Sequence, residues 1–266
     1  MSSPAEVRPE QRTSFARYRH SLWLLTQRDL RVRYSTSLLG YFWSILDPLV
    51  MAGIYWFVFT QVFSRGVGHQ PYIIFLLSAL LPWMWFNGTV SDCTRAFLRE
   101  AKLIRSTRIP RTIWVNRLVL SKGIEFLASI PVLIFFAILA GAPITTGAFL
   151  FPLAILIQTV LTIGVGLMVA PLVVFFRDLE RAVKLVLRFL FYASPIIYST
   201  TDLPSSLHFW AAFNPLSGIF GLYRAAFFPD NLDWLTVGIS AGMSLALLGL
   251  GILVFKRTER AVLKEI

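Results

Sequence analysis

At 266 residues, with 56% hydrophobic and only 15% charged side chains and a mean hydropathy of +0.67, the chain carries more apolar surface than a water-soluble domain of its length can bury. That composition excludes an ordinary soluble enzyme and predicts an integral membrane protein. The formal net charge of +11 does not call for nucleic acid, because the cations lie between long apolar runs, as the orientation rule for membrane proteins requires.

Met1 to Glu10 is short, polar and interrupted by Pro4 and Pro9, and is predicted to be disordered; the basic first forty residues are too hydrophilic for a signal peptide. From Phe15 to Leu39, Tyr18, Leu22, Leu25 and Val32 share one side of a helical projection, with Arg19, Arg28, Arg31 and Arg33 among the polar positions. Asp29 breaks the apolar arc. A helix lying on the membrane surface is the expected form, ending near Ser35 to Gly40.

Six apolar runs follow, at about 41–63, 72–91, 112–140, 148–176, 182–199 and 235–255. A helix rising about 1.5 Å per residue needs about 20 apolar residues to cross a hydrocarbon core of roughly 30 Å. The first run carries Asp47 before Pro48, and the third carries Lys122 and Glu125; carboxylates at such depth are costly and predict protein, water or a basic partner beside them. In the fourth, Gly164, Gly166 and Pro171 predict close helix packing rather than a ligand role.

Between the second and third runs, Arg95, Arg99, Lys102 and Arg105 fall at helical spacing, with Arg108 following, so a basic surface helix is predicted over about 95–108, ended by Pro110. A soluble partner could push on such a helix; neutralisation of anionic lipid accounts for the same pattern. At the start of the fifth run, Arg181, Lys184 and Arg188 line one helix face and lead inward from the charged turn at Arg177 to Glu180. The segment 203–228 holds two apolar stretches too short to span, punctuated by Pro204, Asn214 and Pro215, and predicts two re-entrant half-helices.

Sorting lysines and arginines by side places 23 on the face that holds both termini and only Arg65 and Arg224 on the other. Both termini and the basic helix are therefore expected in the cytoplasm. No G-x-x-x-x-G-K-[ST], H-E-x-x-H or C-x-x-C motif occurs, and His20, His69 and His208 are far apart, so the sequence offers no hydrolytic, cofactor or metal site. The intramembrane acids Asp47 and Glu125 keep an ion-coupled carrier in play, and a membrane glycosyl- or acyltransferase is the other competing class.

Arg31 to Pro48 (RVRYSTSLLGYFWSILDP), Leu80 to Asn87 (LLPWMWFN), Lys102 to Arg111 (KLIRSTRIPR), Phe176 to Leu179 (FRDL), Ser194 to Tyr198 (SPIIY) and Asn214 to Arg224 (NPLSGIFGLYR) occur in an order and spacing that resemble the membrane subunit of ABC-2 type polysaccharide exporters, the Wzm-like family exporting O-antigen, teichoic acid and galactan. The resemblance implies an all-α membrane protein with six transmembrane helices in two regions, 1–40 bearing an amphipathic interface helix and 41–266 the transmembrane domain. It implies a homodimer in the bacterial plasma membrane, each copy paired with a separate nucleotide-binding ATPase that holds ATP and magnesium, and a glycan on polyprenyl pyrophosphate as cargo. It makes 95–108 the coupling helix, with Arg95, Arg99, Lys102, Arg105 and Arg108 facing the ATPase, and 203–228 a pair of outward gate helices. The polymer implied is cell-wall galactan, which suits the chain's 20 arginines against 5 lysines, or another O-antigen-like or teichoic-acid-like glycan; a small lipid is the alternative cargo.

Two groups are then candidates for the substrate path. Arg181, Lys184 and Arg188 are expected to meet pyrophosphate, since a guanidinium can hold two phosphate oxygens; pairing of Arg188 with Asp47 or Glu125 is the competing expectation. Tyr41, Trp43, Tyr55, Trp83, Trp85 and Tyr198 are expected either to offer ring faces to sugars or to anchor the spans at the membrane interface.

Overall fold

The computed structural model describes residues 14–35, 40–62, 68–107 and 109–265, all helix and connecting turns among the described residues. The expected disorder at Met1 to Glu10 and the position of Arg108 lie outside them. Helix α1 spans Ser14–Ser35 and α2 Gly40–Trp56, continuing through a π-helical turn at Phe57–Val62. Helix α3 (Tyr72–Cys93) precedes two short helices, α4 (Ala96–Arg99) and α5 (Ala101–Ser106). The long α6 (Ile113–Leu139) and α7 (Phe151–Phe175) lead to α8 (Leu179–Ala193), the short α9 (Ser205–Ala212) and α10 (Pro215–Arg224), and finally α11 (Trp234–Glu265).

Four of these helices are long and apolar enough to cross a membrane: α3, α6, α7 with its leading turn, and α11. They match the second, third, fourth and sixth expected spans. Helix α3 is apolar all round and sits at the centre, its most apolar stretch 78% buried, whereas α6 and α11 turn much of their surface outward. The first expected span is winding-broken, α2 giving way to the π turn, with Val50, Met51, Ile54 and Phe57 exposed.

The fifth expected span differs more. Helix α8 has 15 residues, about 22 Å, and stops at Ala193 because Pro195 forces Ser194 into an extended conformation (φ −94°, ψ 147°). Apolar character continues beyond it, but helix does not. The segment 203–228 does hold two short helices, α9 and α10, where half-helices are expected.

Helices α7 and α11 meet backbone to backbone. A Cβ on Gly164 would stand 2.6 Å from the Leu248 nitrogen, and one on Gly251 2.2 Å from the Gly164 carbonyl oxygen. Gly166 leaves room for Val115 and the buried Cys93 in the same way. The expected packing role of these glycines is the one observed, since only a hydrogen fits at those contacts.

Candidate functional site

One end of the bundle gathers charged side chains from five separate parts of the chain. Tyr18, Leu22, Leu25 and Asp29 recur every three or four residues and so form one face of α1, which packs on α6. The Asn116 amide donates to the Tyr18 hydroxyl at 2.7 Å. Further along the same face Asp29 accepts from Arg117 Nη1 at 2.8 Å. Arg117 is 4% exposed, lies over the Trp114 ring at 5.0 Å, and reaches Glu100 with Nη2 at 3.4 Å; Arg28 also bonds Glu100. Burial pushes the Asp29 carboxyl above the usual range, while Arg117 and Arg28 pull it down.

The network explains a departure from expectation in the basic segment. Instead of one helix over 95–108, Glu100 adopts a non-helical conformation (φ −110°, ψ 16°) between α4 and α5, where its carboxylate meets the two arginines. The expected single cationic face is thus broken. Arg95 precedes α4 and is engaged by Glu180, with Nε 2.9 Å from Oε2, while Arg99, Lys102 and Arg105 remain exposed. Helix α5 ends at Ser106, short of Pro110, whose carbonyl instead opens the turn into α6.

Glu180 joins this end to α8. Hydrogen bonds from Arg95 and from Lys184, the latter at 2.6 Å, hold its carboxyl down to about 2. The expected basic stripe is therefore divided: Lys184 serves Glu180, while Arg181 and Arg188 are exposed. Arg188 does not pair with either intramembrane acid. Glu125 is taken by Lys122 at 2.9 Å one turn before it, and Asp47 is exposed. The C-terminal part of α11 closes the same end, with Phe255 against Phe97 and Glu259 3.9 Å from Arg111.

Two of the expected aromatic candidates are core residues. Trp85 is 5% exposed, donates to the Val119 carbonyl at 3.1 Å and stacks on Phe126; Trp83 is equally buried against Phe86 and Phe191. Both rings are packed in the interior of the chain. Tyr55, tilted against Phe191, and Tyr198, whose hydroxyl donates to the Tyr192 carbonyl at 3.1 Å, are partly exposed beside α8. The side chains of Tyr41 and Trp43 lie outside the described ones.

At the opposite end, the buried arginine pairs with no carboxylate among the described residues. Arg224, 6% exposed, lies 3.6 Å over the Phe75 ring and donates to the carbonyls of Phe75 and Ile196, at 3.3 and 2.8 Å. The Tyr72 hydroxyl donates to the Ile197 carbonyl at 2.8 Å, and the Thr145 hydroxyl to that of Ala225 at 2.9 Å. Sequence reasoning passed over Asp29, Glu100, Arg117 and Glu180; the carboxylate inside an apolar helix face was the one visible signal.

Residues 20–228 match the model of the ABC-2 type transporter membrane family. The O-antigen export system permease protein RfbA of Klebsiella pneumoniae is 33% identical over 87% of this chain and 90% of its own length, and its namesake from Myxococcus xanthus is 31% identical over 81% and 83%. The polysialic acid transport protein KpsM of Escherichia coli is 22% identical over 95% of this chain and 98% of its own length.

Proposed function

Because the chain belongs to the ABC-2 type transporter family, we propose that it is the membrane subunit of an ATP-driven exporter of a lipid-linked polysaccharide, with a glycan on polyprenyl pyrophosphate as cargo. The observation that carries this reading is the similarity to O-antigen permeases from two bacterial genera over 87% and 81% of the chain. Cell-wall galactan is the narrower reading of the polymer.

In this reading the cation-rich end is cytoplasmic, as the positive-inside rule requires, in a bacterial plasma membrane. Arg99, Lys102 and Arg105, exposed on α4 and α5, dock a separate ATPase that binds ATP and magnesium, and Arg95 secures their platform to α8 through Glu180. Two copies of the chain and two ATPases form the exporter, the commonest symmetry for such an assembly. Helices α2 and α8 complete six crossings and wall the path, Arg181 and Arg188 meeting pyrophosphate and Tyr55 and Tyr198 the sugars. Helices α9 and α10 gate the outer end. An ion-coupled carrier fits less well, since Lys122 neutralises Glu125.

The test has three parts. Deleting the chain should abolish surface polymer and leave lipid-linked glycan inside the cell; unchanged surface polymer overturns the reading. Arg99→Glu/Arg105→Glu should insert normally yet lose co-purification with the ATPase and polymer export, because reversed rim charges repel a partner selected for cations. In Arg188→Gln, export and stimulation of ATP hydrolysis by lipid-linked glycan should fall while basal hydrolysis persists; normal stimulation removes the pyrophosphate role.

A further inference from the structure

We propose that a groove between α6 and α7 holds one acyl chain of an anionic glycerophospholipid whose phosphate rests against Arg19 on α1. The groove, of about 290 Å³, runs between residues 116–127 of α6 and 155–163 of α7, with Trp85 of α3 in its wall and Leu22 of α1 at one end. The site is independent of the cargo and asks only that the chain lie in a bilayer.

The wall offers carbon to an occupant. Trp85 Nε1 donates to the Val119 carbonyl at 3.1 Å, the Thr159 hydroxyl to the Ile155 carbonyl at 2.7 Å, and the Asn116 amide to the Tyr18 hydroxyl at 2.7 Å, so these donors are taken by the protein itself. The Asn116 side-chain oxygen is enclosed. Leu120 and Leu127, 36% and 49% exposed, stand at the open side. Because α6 and α7 are both long and apolar enough to cross a membrane, that side opens onto hydrocarbon. Water would find no polar partners in the groove, and an empty groove would forfeit the contacts its lining can make.

Length selects the occupant. From Asn116 to Leu127 the α6 wall rises about 16 Å, roughly half of a 30 Å hydrocarbon core, so the groove runs through a single leaflet. The Asn116 end is the surface end, since α6 begins three residues earlier and α1 is bonded there through Tyr18. A spanning helix from a second copy would be supported along only half its length, whereas one acyl chain ends where the groove does.

The surface end is cationic. Arg19 precedes Leu22 by about one helical turn, and side chains three apart are neighbours on a helix surface. It is exposed and makes no ion pair among the described residues, and Ser14 to Gln27 carries Arg17 and Arg19 and no carboxylate. A guanidinium can hold two phosphate oxygens. Trp23, next to Leu22 and 48% exposed, supplies the amphipathic ring that settles at headgroup depth. Arginines at that depth favour an anionic lipid over a zwitterionic one.

The experiment is native mass spectrometry of the full chain in mild detergent, titrated separately with dioleoyl phosphatidylglycerol and dioleoyl phosphatidylethanolamine. One phosphatidylglycerol should be retained per chain, more tightly than phosphatidylethanolamine. Arg19→Gln should weaken phosphatidylglycerol about fivefold, one surface cation's worth, and narrow its lead over phosphatidylethanolamine. Thr159→Phe places a ring in the groove and should lower retention of both lipids. Leu120→Trp, at the exposed rim, serves the same end where Thr159→Phe reduces folded yield. Equal affinity for the two lipids, a lead unchanged in Arg19→Gln, or retention unchanged in the groove-filling variants overturns the proposal. Displacement of phosphatidylglycerol by a polyprenyl phosphate overturns it in favour of a cargo site, and lipid bound to the monomer but absent from a dimer overturns it in favour of a second copy.

Discussion

The two ends of the bundle each bury an arginine, and they satisfy it in opposite ways. Arg117 is held by the carboxylates of Asp29 and Glu100, from α1 and the α4–α5 break, whereas Arg224 is held by the neutral carbonyls of Phe75 and Ile196 and an aromatic face. A carboxylate supplied by another segment makes the first arginine a joint: its geometry depends on where α1 and the basic segment sit. Carbonyls of the backbone make the second a fixture. Under the proposed exporter reading, the end that would meet the ATPase is thus built from pairs that can be exchanged, and the other end is tied to main chain.

The largest test of that contrast is Arg117→Met. Removing one member of a buried pair strands the other, which costs about 3–5 kcal/mol, and a thermal melt of the purified chain should show it. Adding Asp29→Asn should restore part of the loss, since the two changes share one interaction. Next comes Arg224→Met, which frees two carbonyls rather than stranding a charge; about 1–3 kcal/mol is expected by the same measurement, with no rescue by neutralising any nearby acid. If a carboxylate change rescues it equally well, the distinction between joint and fixture disappears. Thr145→Val removes one hydroxyl donor from the Ala225 carbonyl and should cost about 1 kcal/mol.

The smallest effect is expected at Glu180, an exposed pair. Its carboxyl is held at about 2, below the ordinary value of 4.5, by hydrogen bonds from Arg95 and Lys184. A depressed folded value means that its contribution is present above the unfolded value and is lost as pH falls from about 4.5 to about 2. Glu180→Gln should flatten the melting curve over that window and leave it unaltered near neutrality. A pH profile identical to that of the unsubstituted chain would show that the pair does not bear on stability.

What could be read from the residues divides along the same line. Helix α3 is legible because its apolar character runs all round, and α6, α7 and α11 because each is long enough to span without help from a neighbour. The packing glycines were legible for a related reason, since an absent side chain announces close approach. The break at Glu100 was not, because its cause sits at Arg28, 72 residues earlier. Asp29 read as a flaw in the apolar face of α1 and proves to be the reason for that face, its partner being Arg117 on α6. Trp83 and Trp85 could not be placed from the residues alone, since tryptophan within a span suits core, path and interface, and the structure shows only that both are buried. The shortness of α8 followed from Pro195, a local signal outweighed by the apolar residues on either side of it.

Helix α11 runs unbroken for 32 residues, about 48 Å, from the Asp233 cap to the basic stretch Lys256 to Lys264. It has no proline within it, and the contact of Gly164 with Leu248 pins its middle to α7. Such a rod pivots more readily than it bends. A rotation of about 5° at that fulcrum carries each tip roughly 2 Å in opposite senses, given its length. A push delivered beside Phe97, against Phe255 on the C-terminal arm, would in this way move Asp233 and Leu235 at the far end with no chain of side-chain rearrangements in between.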